Sequence, residues 1–147
     1  MSELSQAFAP GSIEVGVRAV TREQAILEAG RLLTLSGRTT DAYGAEMLAA
    51  LTEFGPYFVL APGIAIAHGR PSESVLSSGL SLAVLAEPVV FGSEHNDPVS
   101  LVFGLCATDH DSHLEVLSEL ATLLTNQDLI KFMLNALTAE EIRGLLS

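Results

Sequence analysis

Four histidines, His68, His95, His110 and His113, are the side chains of this sequence best suited to chemistry near neutral pH. An imidazole can serve as nucleophile, proton carrier or metal ligand in that range. His68 closes the stretch Pro56-Tyr57-Phe58-Val59-Leu60-Ala61-Pro62-Gly63-Ile64-Ala65-Ile66-Ala67-His68-Gly69-Arg70-Pro71, which is apolar up to the histidine and then turns polar. An extended run of Val, Ile and aromatic residues that stops at a histidine and a glycine delivers a ring nitrogen to the edge of a sheet. Loops held by a rigid sheet are where chemistry usually sits. Taken alone, such a histidine is more often a hydrogen-bonded strand-end residue than a reacting group.

His113 gives it a partner. Ser112, with Glu115 three residues on, resembles a capping box, so His113 falls in the first turn of a helix. Free N–H groups and the helix dipole favour an anion there and bias the ring towards its neutral form. A neutral imidazole still donates one N–H to a phosphate oxygen. In open α/β sheets, strand ends and the neighbouring helix starts share one crevice, which would bring His68 and His113 together. Asp109-His110-Asp111-Ser112-His113 also alternates histidine and carboxylate as a metal site could, but its spacing matches no closed site. A hydrolase using His110, Asp111 and His113 around a metal is therefore a minor reading. His95, among Glu94, Asn96 and Asp97, reads as an exposed loop residue. The sequence has neither a Gly-x-Ser-x-Gly elbow nor the glycine-rich signatures of P-loops and dinucleotide folds.

The elements that must position these residues follow from periodicity. Ile13, Val15 and Val17 alternate as in a strand. Thr21 and Gln24 predict a capping box for a helix carrying Ile26, Leu27, Leu32, Leu33 and Leu35 and stopped by Gly37. Thr40 or Asp41 would cap a second helix, with a stripe of Tyr43, Met47, Leu48, Leu51 and Phe54, ended by Gly55-Pro56. Extended pieces follow at about 57–60 and 63–67, broken at Ala61-Pro62-Gly63, and then at Leu80–Leu85. The linker from Glu87 to Pro98 is loop-like in its second half. Val99–Cys106 is the most apolar strand and belongs at the centre of the sheet. After it come the helix opened by Ser112, a helix capped by Asn126 and a short one capped by Thr138 with Glu141. One domain over 1–147, with 1–11 as a loose lead-in, and a sheet between helical layers is the economical architecture.

Composition narrows the class. At 147 residues and 48% hydrophobic, the chain can bury a substantial core. No apolar run reaches the roughly 18 residues of a membrane span. The start, Met1-Ser2-Glu3-Leu4-Ser5-Gln6, lacks a basic and an apolar region, so no signal peptide is expected there. The net charge of −11 leaves no basic stripe, which disfavours nucleic acid and anionic membranes as partners. The single cysteine, Cys106, lies in an apolar run and reads as a small buried side chain. A cytoplasmic protein is the expectation.

Gly63-Ile64-Ala65-Ile66-Ala67-His68-Gly69-Arg70 resembles the Gly-x-Ala-x-Pro-His-(Gly/Ala)-Arg motif of the EIIA components of the phosphotransferase system (PTS), fructose/mannitol superfamily. Glu53–Gly63, Pro88-Val89-Val90-Phe91-Gly92 and Asp111-Ser112-His113-Leu114-Glu115-Val116-Leu117 are most similar to the ascorbate-type branch. The resemblance covers nearly the whole chain. It implies an α/β fold, a mixed, largely parallel sheet of about five strands sandwiched between helices. It implies a phosphocarrier in sugar transport: His68 accepts a phosphoryl group on its tele nitrogen from phospho-HPr and passes it to a cysteine of the cognate EIIB, with the membrane EIIC involved indirectly. His113 matches a second histidine that holds the phosphoryl group, and Arg70 is the nearest candidate cation. No metal or organic cofactor is implied. Some relatives of this fold are regulators that bind target proteins according to phosphorylation, and the same histidine would serve that role. Two positions depart from the pattern. Ala67 stands where the motif has proline, removing a fixed φ. The helix ending Ala49-Ala50-Leu51-Thr52-Glu53 lacks the arginine of mannitol-type members.

Overall fold

The computed structural model of the chain describes residues 6–55 and 58–146, with only the backbone at Phe54. Expectations for residues 1–5, for Pro56 and Tyr57 and for the Phe54 side chain therefore lie outside the described residues. The elements are β1 (Ile13–Val17), α1 (Arg22–Leu35), α2 (Tyr43–Phe54), β2 (Val59–Ala61), β3 (Ile64–His68), β4 (Gly79–Val89), β5 (Val99–Cys106), α3 (His110–Leu123), α4 (Gln127–Asn135) and α5 (Ala139–Leu146). The five strands form one sheet in the order β1-β4-β5-β3-β2. β1 runs parallel to β4 and β3 parallel to β5, while β4 and β5, and β2 and β3, are antiparallel. The sheet is thus mixed, with β5 at its centre as its apolar composition requires.

Side chains alternate across the sheet and sort the core into two layers. Ala65 and Ala67 of β3, Ala83 and Leu85 of β4, and Val102 and Cys106 of β5 face α1 and α2, where Ile26, Leu33, Tyr43 and Met47 meet them. Ile64 and Ile66, Leu80 and Leu82, and Leu101, Phe103 and Leu105 face the other way, onto Leu120, Leu123, Met133 and Ile142 of α3, α4 and α5. The same period of two puts His68 on the face of Ile64 and Ile66, the face that α3 covers. On the opposite face α1 comes close. A Cβ at Gly104 would lie 2.4 Å from Ser81 Oγ and 3.1 Å from the Ala29 carbonyl oxygen, and that hydroxyl donates to the same carbonyl at 2.8 Å.

Helix ends agree with the sequence signals in part. Thr21 accepts from the Gln24 N–H, Asn126 from Leu129 and Thr138 from Glu141. α1 ends before Gly37, which takes φ +81. Neither Thr40 nor Asp41 caps α2: its N-cap is Ala42 with no side-chain hydrogen bond, and the Tyr43 N–H goes to the Thr40 carbonyl. A backbone turn replaces the expected cap because the chain enters this helix directly from the buried Thr39 bridge to Val75. β4 is longer than its alternating core, because residues 86–89 continue past a register shift to pair Val89 with Val99. The loop that follows is organised by Asp97, whose carboxylate accepts from the N–H groups of Phe91, Gly92 and Ser93. Among the described residues no helix is long and apolar enough to cross a membrane.

Candidate functional site: a histidine pair at the sheet rim

β3 ends at His68, opposite Leu105 in the ladder with β5. Beyond Cys106, β5 leads into α3 through Ala107 and Thr108. α3 opens three residues earlier than Ser112 suggested. Asp109 is the N-cap, in extended conformation, and its carboxylate accepts from the Ser112 N–H at 2.7 Å. The hydrogen bonds from the backbones of Ser112 and Asp111 hold the Asp109 carboxyl below its usual range. The bank of free amides expected at this helix start is therefore already largely occupied by a carboxylate. His113 is the fourth residue of α3, and its own N–H returns to the Asp109 carbonyl.

One turn into the helix, the His113 ring reaches His68. Their centroids are 5.2 Å apart in an edge-to-face arrangement at 63°. On its other side His68 meets Phe58, at 5.1 Å and 46°. The His68 ring is half-buried, and its Nδ1 lies 3.1 Å from the Ile66 carbonyl oxygen. A carbonyl only accepts, so Nδ1 carries the proton and Nε2 keeps its lone pair. Burial lowers the His68 pKa, partly opposed by the Ile66 carbonyl, and holds the ring neutral. His113 is also shifted down, first by burial and then by repulsion from His68 and His110. Among the described residues its Nδ1 is buried without a hydrogen-bond partner. Orphaned buried N–H groups are rarer than under-used acceptors, so the favoured tautomer leaves Nδ1 bare and puts the proton on Nε2. The pair then offers one nucleophilic nitrogen and one N–H donor.

These rings line a cleft of about 440 Å³ together with Glu46, Ala49, Ala50 and Glu53 of α2, the strand exit Gly69-Arg70-Pro71, and His110. Arg70 shares the cleft but reaches outward. It is 77% exposed and pairs with Glu53 at 3.4 Å. His95 is exposed in the loop before β5 and does not line this cleft. His110 and Asp111 stay near the helix start, yet among the described residues no three His, Cys, Asp or Glu side chains gather as a metal cage. Cys106 is buried, its thiol pushed up to about 11 by burial. Sequence reasoning missed Tyr43 except as an apolar stripe residue. Its hydroxyl accepts from the Gly69 N–H at 2.9 Å and lies 2.8 Å from the Leu105 carbonyl oxygen, to which it donates.

The family model "Phosphoenolpyruvate-dependent sugar phosphotransferase system, EIIA 2" matches residues 6–147. The ascorbate-specific PTS system EIIA component of Salmonella choleraesuis is 34% identical over 136 residues, covering 92% of this chain and 88% of its own. Enzyme IIAMTL of Escherichia coli, solved in complex with phosphorylated enzyme IIBMTL, superposes with a TM-score of 0.81 at 28% identity, over 94% of this chain and 95% of that one. The nitrogen regulatory protein IIA-Ntr of Neisseria meningitidis does so at 0.81 and 30% identity, over 99% and 100%. From the histidine pair at the rim of a mixed five-stranded sheet, and from a family match over almost its whole length, the chain belongs to the EIIA 2 family of the phosphoenolpyruvate-dependent sugar phosphotransferase system.

Proposed function

We propose that the protein is a phosphocarrier in which His68 Nε2 accepts a phosphoryl group from phospho-HPr and hands it to a cysteine of its cognate EIIB. The observation that carries this reading is the 3.1 Å contact between His68 Nδ1 and the Ile66 carbonyl oxygen. It pre-selects the tautomer with a free Nε2 lone pair, and burial keeps that ring unprotonated. In the first step the Nε2–P bond forms as the N–P bond of the donor phosphohistidine breaks, and the electron pair returns to the donor imidazole. In the second step a thiolate sulfur of EIIB attacks phosphorus and the Nε2–P electron pair returns to His68. Phosphoryl transfer depends mainly on positioning and charge stabilisation. His113 Nε2–H serves as the phosphoryl-oxygen donor, and its neutrality limits how tightly the group is held. Arg70 acts at the mouth of the cleft once it leaves Glu53. The Asp109 carboxylate at the start of α3 and the two glutamates of the cleft work against a trap for the phosphate.

The EIIB partner is supported by the complex of the mannitol relative with phosphorylated IIBMTL. Uptake of a sugar such as ascorbate is supported by the ascorbate-specific relatives. The test is incubation with phosphoenolpyruvate, Enzyme I and HPr, followed by mass mapping of acid-labile phosphate. Label on His68 that chases onto an EIIB cysteine is expected, and label on another residue overturns the assignment. Similarity to the nitrogen regulatory protein favours a second use of the same histidine, phosphorylation-dependent binding of a target protein. Capture of a target by only one of the phosphorylated and unphosphorylated forms, with no EIIB accepting the label, would select it.

A further inference from the structure

We propose that Tyr43 is a positioning residue for this transfer: its hydroxyl fixes the end of β3 and, through it, the direction of the His68 ring. The inference rests on the reading of His68 as phosphoryl acceptor.

Among the described residues β2 pairs with β3 at Ile64 and Ala65, and the last three residues of β3 find their ladder partners in β5. His68 is the final rung, facing Leu105, and the chain then leaves the sheet. The next backbone N–H, that of Gly69, belongs to a buried residue and has no strand to meet. Tyr43 supplies its acceptor at 2.9 Å, and the hydroxyl proton goes to the Leu105 carbonyl oxygen at 2.8 Å. One oxygen thus ties the residue after His68 to the ladder partner of His68. The phenol is fully buried, and burial raises its pKa, so the donor survives wherever the protein is folded.

The loop is built around this contact. A Cβ at Gly69 would lie 3.3 Å from Tyr43 Cε1 and 3.4 Å from Glu46 Cβ, so an added methyl would press the Tyr43 ring and the loop apart by a few tenths of an ångström. One turn along α2, Glu46 accepts from the hydroxyls of Ser72 (2.6 Å) and Ser74. Ala67 has no ring to fix its φ, so the backbone before His68 depends on restraint from outside. The Nδ1 contact to the Ile66 carbonyl spans only two residues. It therefore follows any change in backbone torsion at Ala67 and His68.

A tyrosine that only filled the core would change stability and nothing else. Tyr43→Phe and, as a control from the same buried face of α2, Leu51→Ala are compared with the parent protein by thermal melting and by nitrogen-15 NMR of the histidine rings. In Tyr43→Phe we expect the His68 resonances to shift towards a mixture of tautomers. Transfer from saturating phospho-HPr slows by about 10- to 100-fold, while the half-saturating donor concentration changes by less than about twofold. Leu51→Ala lowers the melting temperature and leaves the His68 spectrum unchanged. Gly69→Ala approaches the same contact from the loop and, should Tyr43→Phe not fold, is expected to give the same spectral change. Parent-like His68 resonances in the folded variant, or an equal shift in Leu51→Ala, overturn the proposal. The ring spectrum reads Tyr43 without any phosphate, so absence of label on parent His68 would instead overturn the phosphocarrier reading.

Discussion

At the scale of single residues, the proposed phosphocarrier role divides the work between His68 and His113 by tautomer. His68→Ala is expected to abolish labelling by phospho-HPr. His113→Ala should leave the label on His68 but slow its arrival by about 100-fold, the cost of losing one preorganised donor; rapid-quench labelling measures both. Both rings titrate below the ordinary histidine value of 6.5, chiefly because burial disfavours the cation. For a group whose folded pKa is depressed, the stabilisation is complete above the unfolded value and is lost as pH falls through the folded one. Two outcomes follow. Proton-detected titration should give midpoints below 6.5 for both rings, and phosphoryl acceptance should persist at pH 6.5, where a free imidazole is half protonated. An apparent pKa above 6.5 for acceptance would contradict the site as described. His68 was legible in the sequence because an apolar strand stops at it. The reach of His113 was legible only in outline, since the spacing put it in the first turn and the fold puts it one turn in, capped by Asp109.

At the scale of elements, the start of α3 carries the site and depends on one side chain. Asp109→Asn retains an acceptor for the Ser112 N–H and should melt near the parent protein. Asp109→Ala removes it and should lower both the melting temperature and the rate of transfer, through His113. The wall behind the site is the close contact of α1 with the sheet. Gly104→Ala would force a Cβ to within 2.4 Å of Ser81 Oγ, and overpacking of this kind costs about 1–3 kcal/mol; denaturant melts will show it as a lower midpoint at unchanged slope. The caps of α1, α4 and α5 were readable because each uses a local side-chain acceptor three residues from its donor. The start of α2 was not, because a backbone turn next to a bridge between distant residues replaces a side-chain cap.

At the scale of the whole molecule, the order β1-β4-β5-β3-β2 puts β5 and β4 inside and leaves β1 and β2 at the edges. Amide exchange should be slowest in Leu101–Leu105 and Leu80–Val84 and fastest in β2; protection of β2 equal to that of β5 would contradict this topology. The alternation of large and small residues along β3 could be read directly: Ile64 and Ile66 on one side, Ala65 and Ala67 on the other. It determined the two core layers and the face on which His68 stands, because side-chain direction in a strand is a local matter of period two. The family motif, the strand ending at His68 and the helices that follow β5 were likewise properties of the sequence alone. Tertiary structure decided what depends on residues far apart in the chain. It set the pairing of β3 with β5, which brings His113 to His68, and the turning of Arg70 to Glu53. It also joined Tyr43 to Gly69 and Leu105 by one hydroxyl, across separations of 26 and 62 residues. Local periodicity carries no information on such contacts; they exist because buried backbone groups at a strand end must find partners wherever the packed chain supplies them.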